Sequence, residues 1–171
     1  SSQQSLNGIS PLAGEKWYDA CAASGGKSLL LKSKAPDVLL TVSDVRTSIL
    51  DNLRLRFQRN RIEHYDSFVA DLSVSDIPER YIGYFDGIIA DVPCSGSGTW
   101  GRTPEQMCFF TEEKLHYYSK LQQAILRRLV PALKPGGRLV YITCSVYRKE
   151  NEEQVEFLSN ELGLHCTQSG L

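Results

Sequence analysis

The sequence predicts a doubly wound α/β domain, in which a mostly parallel sheet is covered on both faces by helices in three layers. Short apolar runs alternate along the chain with helical patterns of roughly ten residues or more, which is typical of parallel strand–helix–strand units. Right-handed crossovers then place helices on both faces of the sheet. The length of 171 residues and the hydrophobic content of 42% indicate a single domain, spanning residues 1–171, with a buried core.

The N-terminal half supplies three predicted strands and two helices. Residues 16–20 form a short first strand, and a glycine-containing turn then leads into a helix that continues to about Lys32. Residues 38–43 are β-branched and apolar, which predicts a second strand. The next helix runs from Arg46 to about Arg59, because its apolar residues recur at helical spacing. Residues 68–70 form a brief third strand.

The C-terminal half begins with a buried strand. The first half of residues 85–98 is apolar enough to be buried on both faces of a parallel sheet, and its second half contains turn residues. Thr111 is the predicted N-cap of a long helix that ends before Pro131. Residues 134–137 then make a turn into a fifth strand over residues 138–143.

The two ends of the chain give weaker patterns. A polar helix is predicted over residues 149–162, and residues 165–167 would begin a sixth strand. Residues 1–15 form a lead-in without signal-peptide character or an initiator Met. We therefore expect the chain to be a piece of a longer protein.

Composition narrows the classes of function. The net charge of −1 neither favours nor excludes a nucleic-acid partner. Five scattered cysteines without a Cys-x-x-Cys pair argue against a disulfide framework or a zinc site, and favour a reducing, cytoplasmic location. No apolar run approaches the roughly 18 residues of a membrane span. Nothing in the pattern indicates an obligate dimer, so we expect a monomer. The cysteine spacing leads us to expect no bound metal.

One polar edge of the predicted sheet indicates a ligand site. The carboxyl ends of parallel strands share an edge, and open α/β sheets bind their ligands there. A sheet does not need several carboxylates and a thiol at one edge for its stability, so a ligand is the better explanation. The five predicted strands end in or near Asp19, Asp44, Asp71, Asp91 and Cys144.

The turn after the first strand is typical of a cofactor loop. Residues 24–26 let the backbone turn tightly, and the helix N-terminus behind them offers unpaired N–H groups and partial positive charge. Residues 26–28 match the end of a P-loop, which is the competing interpretation. That pattern needs a glycine where this chain has Cys21, so we set the P-loop aside.

Two carboxylates would hold the rest of a nucleoside-bearing cofactor. An acidic residue about 20 residues past a glycine turn binds a ribose hydroxyl in sheets of this kind, and Asp44 has that position. A competing role for Asp44 is to cap the helix that begins near Arg46. Asp71, at the end of the third strand, is placed to reach the adenine side of the same ligand.

Two thiols follow neighbouring strands. Cys94 comes after the fourth strand and Cys144 after the fifth, and one helical crossover joins these strands, so both thiols would face one pocket. A pair of thiols beside a cofactor predicts covalent catalysis, with one thiol as nucleophile and the other as its helper. The thiolate is the attacking species, so one pKa must lie below the free value of about 8.5.

Five segments together identify a family. They read Asp-Ala-Cys-Ala-Ala-Ser-Gly-Gly-Lys (19–27), Asp-Val-Pro-Cys-Ser-Gly-Ser-Gly-Thr (91–99), Leu-Lys-Pro-Gly-Gly (133–137), Thr-Cys-Ser (143–145) and Arg-Lys-Glu-Asn-Glu-Glu-Gln-Val (148–155). In this order they closely resemble the RNA 5-methylcytosine methyltransferases of the Nop/Sun or Fmu type. The combination of a Pro-Cys motif and a Thr-Cys motif is highly specific for this family. Ser24 departs from the pattern, because proline is usual there, and its loss should loosen the turn.

The resemblance implies a Rossmann-like fold, S-adenosylmethionine as cofactor, and C5 of a cytosine in RNA as methyl acceptor. Ribosomal RNA is the first expectation and transfer RNA the second. The usual sheet of this fold has seven strands, so the last would be missing here. Asp44 would bind the ribose and Asp71 the adenine. The loop that holds the methionine end would comprise Cys21, Ala22, Ala23, Ser24, Gly25, Gly26 and Lys27.

The resemblance also implies catalytic roles. Cys144 would be the nucleophile that adds to C6, and Cys94 would assist product release. Asp91 would lie near the cytosine edge and the reactive end of the cofactor. Lys27 would order the cofactor loop or reach the catalytic edge. A rival assignment makes Cys94 the nucleophile, as in DNA cytosine-C5 enzymes with a similar Pro-Cys motif.

Contact with RNA and catalytic turnover each allow two interpretations. The basic run over residues 54–61 suits either a solvated helix face or phosphate contacts. Trp100 and Arg102 would stack on or clamp RNA, although Trp100 suits a loop anchor equally well. The chain could also be a cofactor-binding module without turnover, since no RNA-recognition sequence is visible before the predicted core.

Overall fold

The sheet lies at the centre of a computed structural model that describes residue 6 and residues 8–167. Its strands are β1 (Lys16–Asp19), β2 (Leu39–Asp44), β3 (Tyr65–Val69), β4 (Phe85–Asp91) and β5 (Leu133–Ile142). Their order is β3-β2-β1-β4-β5, and all four neighbouring pairs are parallel. The strand order therefore reverses between β1 and β4, which is the switch point where such sheets bind ligands.

Four helices cover the two faces of the sheet. They are α1 (Gly26–Lys34), α2 (Thr47–Arg59), α3 (Glu112–Leu129) and α4 (Glu152–Leu162). Helices α1 and α2 contribute Leu31 and Phe57 to one buried cluster, whereas α3 and α4 contribute Leu126 and Phe157 to a second cluster. The two clusters confirm the predicted three-layer, doubly wound architecture.

The start of α3 follows the sequence prediction. Thr111 is the N-cap, and its side-chain oxygen accepts a hydrogen bond from the backbone N–H of Lys114 at 3.3 Å. Glu112 and Glu113 follow in the first turn, where the helix dipole favours negative charge. Helix α4 begins later than predicted, because Arg148–Glu150 forms a separate 3₁₀ turn.

Three further features of the predicted strands differ from the structure. The third strand spans Tyr65–Val69 instead of residues 68–70, because it is a partly exposed edge strand without a continuous apolar run. Residues 134–137 lie inside β5 as a bulge: the register passes from Phe85 opposite Leu133 to Gly87 opposite Arg138. Residues 165–167 have no regular secondary structure, so the described part of the chain contains no sixth strand.

The bulge in β5 explains why turn chemistry occurs inside a strand. Gly136 has a φ of +76°, which glycine adopts at little cost, and it lets the strand take up extra residues without leaving the sheet. Within residue 6 and residues 8–167, no helix is both long enough and apolar enough to cross a bilayer.

Candidate active site

The two thiols meet where β4 and β5 end. These strands are neighbours, with Asp91 opposite Ile142, so the loops that follow them leave the sheet side by side. The sulfur atoms of Cys94 and Cys144 lie 3.1 Å apart, and they are not joined as a disulfide. The structure thus places the two thiols next to each other, as the predicted strand order implied.

The environment makes these thiols unequal. A hydrogen bond from the Cys94 side chain lowers the pKa of Cys144 from an ordinary 9.0 to about 7, although burial opposes this shift. The same bond, together with burial, raises the pKa of Cys94. The backbone N–H of Cys144 also donates to the Cys94 sulfur at 3.3 Å. Cys144 is therefore the more acidic of the two thiols.

Direct bonds hold the loop after β4 against the loop after β5. The backbone N–H of Gly98 donates to the carbonyl oxygen of Cys144 at 2.8 Å, and the N–H of Val146 donates to the Ser97 hydroxyl at 2.9 Å. The hydroxyls of Ser97 and Ser145 lie 3.1 Å apart. A Cβ at Gly98 would lie 2.8 Å from the Cys144 carbonyl oxygen, so this close approach requires glycine.

A buried carboxylate, which the sequence analysis missed, supports the Cys94 loop from behind. Glu150 is fully buried, and its carboxylate accepts from the backbone N–H of Ser95 at 2.8 Å and from the Ser95 hydroxyl at 2.5 Å. Gln122, also fully buried, donates to Glu150 at 3.1 Å and to the Pro93 carbonyl oxygen at 2.9 Å. The only sequence signals were the place of Gln122 on the inward face of α3 and the family-like segment that contains Glu150.

The neighbouring residue supports the Cys144 loop. The Asn151 amide donates to the carbonyl oxygens of Ser145 and Tyr147 at 3.0 and 3.1 Å. Its side-chain oxygen accepts from the Thr143 hydroxyl at 2.6 Å. Bonds from Asn151 thus reach residues on both sides of Cys144.

The predicted cofactor loop forms a strained turn between β1 and α1. Ala23 and Gly25 have φ values of +46° and +79°. The backbone N–H of Ala23 donates to the Asp44 carboxylate at 3.1 Å, and the N–H of Ala22 donates to the Ser43 carbonyl oxygen at 2.9 Å. These bonds fix the loop against the end of β2.

The two glycines of this loop have different surroundings. A Cβ at Gly25 would lie 2.8 Å from Cε1 of Phe57, whereas a Cβ at Gly26 would have no described atom within 4 Å. Gly26 is the first residue of α1, so open space lies directly over the N-terminus of that helix. A ligand can approach the backbone closely there.

Ser24, which departs from the family pattern, has its own anchor. The Arg56 guanidinium donates to the carbonyl oxygen of Ser24 at 3.1 Å and to its hydroxyl at 3.0 Å. Arg56 belongs to the basic run that was predicted as a solvated face or a phosphate contact. In this structure it contacts the loop at the position where proline is usual.

A lysine–aspartate pair bridges the switch point of the sheet. The Lys27 ammonium, from the first turn of α1, lies 2.8 Å from the Asp91 carboxylate at the end of β4. Asp19, at the end of β1, is fully buried and accepts from the Ser28 hydroxyl at 2.6 Å. Burial raises the pKa of Asp19 to about 6. Its other carboxylate oxygen has no hydrogen-bond partner among the described residues.

The remaining predicted residues lie at the same edge or pack near it. Asp44 accepts from the backbone N–H of Arg46 at 3.1 Å, but it is not the N-cap of α2. Asp71 follows the end of β3 and accepts from the backbone and the hydroxyl of Ser73. Burial raises the pKa of Cys21 to about 12, so this thiol stays protonated at neutral pH.

Trp100 packs within the protein. Its ring lies 5.1 Å from the ring of Phe110 and 6.1 Å from that of Tyr147, both in edge-to-face geometry. Phe110 and Tyr147 in turn stack at 5.0 Å. The structure thus favours the interpretation of Trp100 as a loop anchor.

Comparison with known proteins identifies the family. The sequence profile described as 16S rRNA methyltransferase RsmB/F matches residues 7–166. The chain belongs to the RsmB/F family. Among curated relatives, ribosomal RNA small subunit methyltransferase B of Yersinia enterocolitica is 33% identical over 159 residues, covering 91% of this chain and 36% of the relative. The protein of that name from Xylella fastidiosa strain Temecula1 is 35% identical over 159 residues, with coverage of 91% and 36%.

Solved structures agree with this RsmB/F assignment. The protein PH0851 has a TM-score of 0.85 and 30% identity, covering 96% of this chain and 37% of its own. A methyltransferase homologue from Pyrococcus horikoshii has a TM-score of 0.77 and 32% identity, with coverage of 94% and 50%. NSun6 from the same organism, solved with SFG, has a TM-score of 0.79 at 22% identity, with coverage of 92% and 40%, and shows the shared fold. The chain spans about a third of the length of the curated relatives it matches.

The RsmB/F chain has a site that fits the cofactor of its family, S-adenosylmethionine. The open space over Gly26 is a cradle that a side chain at this position would occupy. The central strands β1, β2 and β4 end at Asp19, Asp44 and Asp91, and one oxygen of buried Asp19 is unpaired among the described residues. A cofactor with a ribose and an ammonium group suits this set of acceptors.

Proposed function

We propose that this chain is the catalytic core of a methyltransferase that uses S-adenosylmethionine to methylate C5 of cytosine in RNA, with ribosomal RNA as substrate. The observation that carries the proposal is the pair of thiols at 3.1 Å, of which only Cys144 is acidified. The curated relatives are named as methyltransferases of the small ribosomal subunit RNA, which favours ribosomal over transfer RNA. A cytoplasmic location suits two reduced thiols in one site.

Cytosine C5 is a poor nucleophile until another group adds to C6. In the proposed reaction the Cys144 thiolate forms a bond to C6, and the electron pair of the C5–C6 double bond becomes available at C5. Bound S-adenosylmethionine supplies the methyl group as an electrophile. Removal of the C5 proton then restores the double bond, and the sulfur of Cys144 leaves as a thiolate.

The geometry supports a proposed role for Cys94 in the second half of this reaction. Its proton is held by the hydrogen bond to the Cys144 sulfur, which raises the pKa of Cys94. Once Cys144 is bonded to C6, that sulfur no longer carries a negative charge, so Cys94 ionises more readily. The Cys94 thiolate, whose proton has gone to solvent, would then take the proton from C5, so that the C–H electron pair restores the C5–C6 double bond as the bond between Cys144 and C6 breaks.

Lys27 and Asp91 would lie where the cytosine base and the reactive end of the cofactor meet. Asp91 keeps a partly exposed carboxylate at the end of β4, where it would stabilise charge near N3 of the cytosine. Lys27 holds this carboxylate in place through the 2.8 Å contact.

The cofactor itself would lie across the ends of β1, β2 and β3. Residues 21–27 would surround its methionine end, with the open backbone at Gly26 in contact. Asp44 would bind the ribose and Asp71 the adenine. The ribose role of Asp44 is supported by its hydrogen bond from the Ala23 backbone N–H in the cofactor loop. The adenine role of Asp71 is supported by its position just after the end of β3.

Substitution of the nucleophile tests this proposal. We expect Cys144→Ala to abolish methyl transfer to cytosine in ribosomal RNA, since no other thiol of low pKa is present at the site, while binding of S-adenosylmethionine persists. Transfer of a labelled methyl group and calorimetry measure the two properties. Cys108→Ala, at an exposed thiol, is the control and should retain transfer. Transfer that survives in Cys144→Ala would contradict the assignment.

A cofactor-binding module without turnover is the second candidate. It is favoured by the fact that the chain spans only about a third of the curated relatives. Calorimetry with S-adenosylmethionine and a methylation assay on total RNA separate the two functions. Binding without transfer would indicate the module.

A further inference from the structure

We propose that the adjacent residues Glu150 and Asn151 are positioning residues that set the distance between the two thiols, Glu150 through the Cys94 loop and Asn151 through the Cys144 loop. This inference deepens the proposed function and rests on it for its catalytic meaning. The positioning itself concerns the free chain and needs neither RNA nor cofactor. It accounts for a carboxylate that is fully buried yet lies outside the proposed reaction.

The thiols need such support because both follow strands on irregular loops. Cys94 and Cys144 lie outside β4 and β5, and Cys144 is exposed. Their sulfur atoms lie 3.1 Å apart, within hydrogen-bond distance for two sulfurs. A movement of one loop by about 1 Å would break this bond, and such displacements can cost roughly 100-fold in rate.

Glu150 fixes the Cys94 side. Both of its carboxylate oxygens bond to Ser95, the residue next to Cys94, one to the backbone N–H and one to the hydroxyl. Gln122 bonds both to Glu150 and to the Pro93 carbonyl oxygen, on the other side of Cys94. Residues 93 and 95 are therefore tied to one buried pair.

Asn151 fixes the Cys144 side by the same principle. Its amide group bonds to residues 143, 145 and 147, which lie before and after Cys144. Because Glu150 and Asn151 are consecutive, the peptide bond between them joins the two supports. Glu150 ends the 3₁₀ turn Arg148–Glu150 and Asn151 is the N-cap residue of α4, so this short junction contacts both loops.

A second feature distinguishes positioning from simple electrostatics. The negative charge of Glu150 raises the pKa of Cys144, so removing only this charge would lower that pKa. Displacing the Cys94 loop has the opposite effect, because Cys144 loses the hydrogen bond that acidifies it. The direction of the change therefore identifies the role.

The test measures alkylation of Cys144 by iodoacetamide against pH in the full chain, resolved by peptide mass spectrometry. For Glu150→Gln we expect the midpoint to rise from about 7 toward the free value of about 8.5, while calorimetry shows that S-adenosylmethionine still binds. Glu153→Gln, which removes an exposed charge three residues away, should leave the midpoint unchanged. Asn151→Leu should also raise the midpoint, because it removes the amide donor and adds no charge that would itself raise the pKa of Cys144.

A midpoint that stays the same or falls in Glu150→Gln, with cofactor binding intact, would overturn the proposal. If Glu150→Gln loses cofactor binding, Ser95→Ala decides, since it removes one of the bonds to Glu150 and keeps the carboxylate. A rise in the Cys144 midpoint of Ser95→Ala, smaller than the rise expected for Glu150→Gln, would support positioning. An unchanged midpoint in Ser95→Ala would overturn the proposal. Failure of the methyltransferase assay alone leaves this result unaffected, because alkylation requires no methyl transfer.

Discussion

At the scale of single residues, the contact between the thiols of Cys94 and Cys144 is the feature on which the proposed mechanism depends. The hydrogen bond between Cys94 and Cys144 is the largest cause of both pKa shifts, lowering the pKa of Cys144 and raising that of Cys94. A difference of this kind supports the proposed roles of Cys144 as nucleophile and Cys94 as helper. Asp91 and Glu150, the carboxylates near Cys144, oppose its ionisation, so the bond from Cys94 is the decisive contact.

The pH dependence of Cys144 follows from this contact. A thiol with a pKa near 7 gains thiolate as the pH rises through that value, so its rate of alkylation should rise through about pH 7 and then level off. In Cys94→Ala the donor is absent, and we expect the midpoint to rise to about 8.5. Peptide-resolved alkylation measures both. An unchanged midpoint in Cys94→Ala would show that another group acidifies Cys144.

Two adjacent glycines make a second prediction at this scale. Gly26→Ala should leave the melting temperature unchanged, because its Cβ meets no described atom, yet weaken binding of S-adenosylmethionine by roughly tenfold or more by filling the cradle. Gly25→Ala should instead lower the free energy of unfolding by about 1–3 kcal/mol, owing to its positive φ and the clash with Phe57. Calorimetry and thermal unfolding separate the two effects. Unaltered cofactor binding in Gly26→Ala would count against a cofactor over this helix N-terminus.

At the scale of elements, the sequence predicts best where one pattern determines one structure. The buried strand β4 and the capped helix α3 carry unambiguous patterns, and both lie where predicted. The edge strand β3 is half-exposed, so its periodicity was incomplete. Residues 134–137 have true turn chemistry, and only the partner strand β4 shows that the turn is a bulge.

Part of the site could be predicted from the sequence, because the strand topology alone brings some of its residues together. Right-handed crossovers place the ends of β4 and β5 together, so the meeting of Cys94 and Cys144 follows from topology. Glu150 could not be found in this way, because a glutamate in a polar segment indicates a solvated face. Its burial depends on Gln122 and Ser95, which are distant in sequence and meet it only in the folded chain.

The junction between β1 and β4 allows a stability prediction for these elements. A Cβ at Gly87 would lie 2.5 Å from ring atoms of buried Trp17, on the neighbouring strand. We expect Gly87→Ala to lower the free energy of unfolding by about 1–3 kcal/mol through overpacking. Gly101→Ala, where a Cβ would have no described atom within 4 Å, is the control. Equal stability of the two variants in denaturant unfolding would contradict the described packing.

At the scale of the whole molecule, the sheet divides the work between two halves. Strands β1, β2 and β3 carry the cofactor loop and its carboxylates, and β4 and β5 carry the thiols. The halves meet at the reversal of strand order, where Lys27 contacts Asp91. A methyl donor bound at the ends of β1, β2 and β3 and a cytosine bound at the ends of β4 and β5 would meet between β1 and β4.

The central claim is that Cys144, and not Cys94, forms the bond to the base. The most direct measurement incubates the chain with S-adenosylmethionine and ribosomal RNA that contains 5-fluorocytidine, in which fluorine blocks loss of the C5 substituent. Trypsin then separates the two thiols, because Arg102 and Arg138 lie between them. We predict that mass spectrometry finds the nucleotide on the peptide with Cys144. A nucleotide on the peptide with Cys94 would contradict the account.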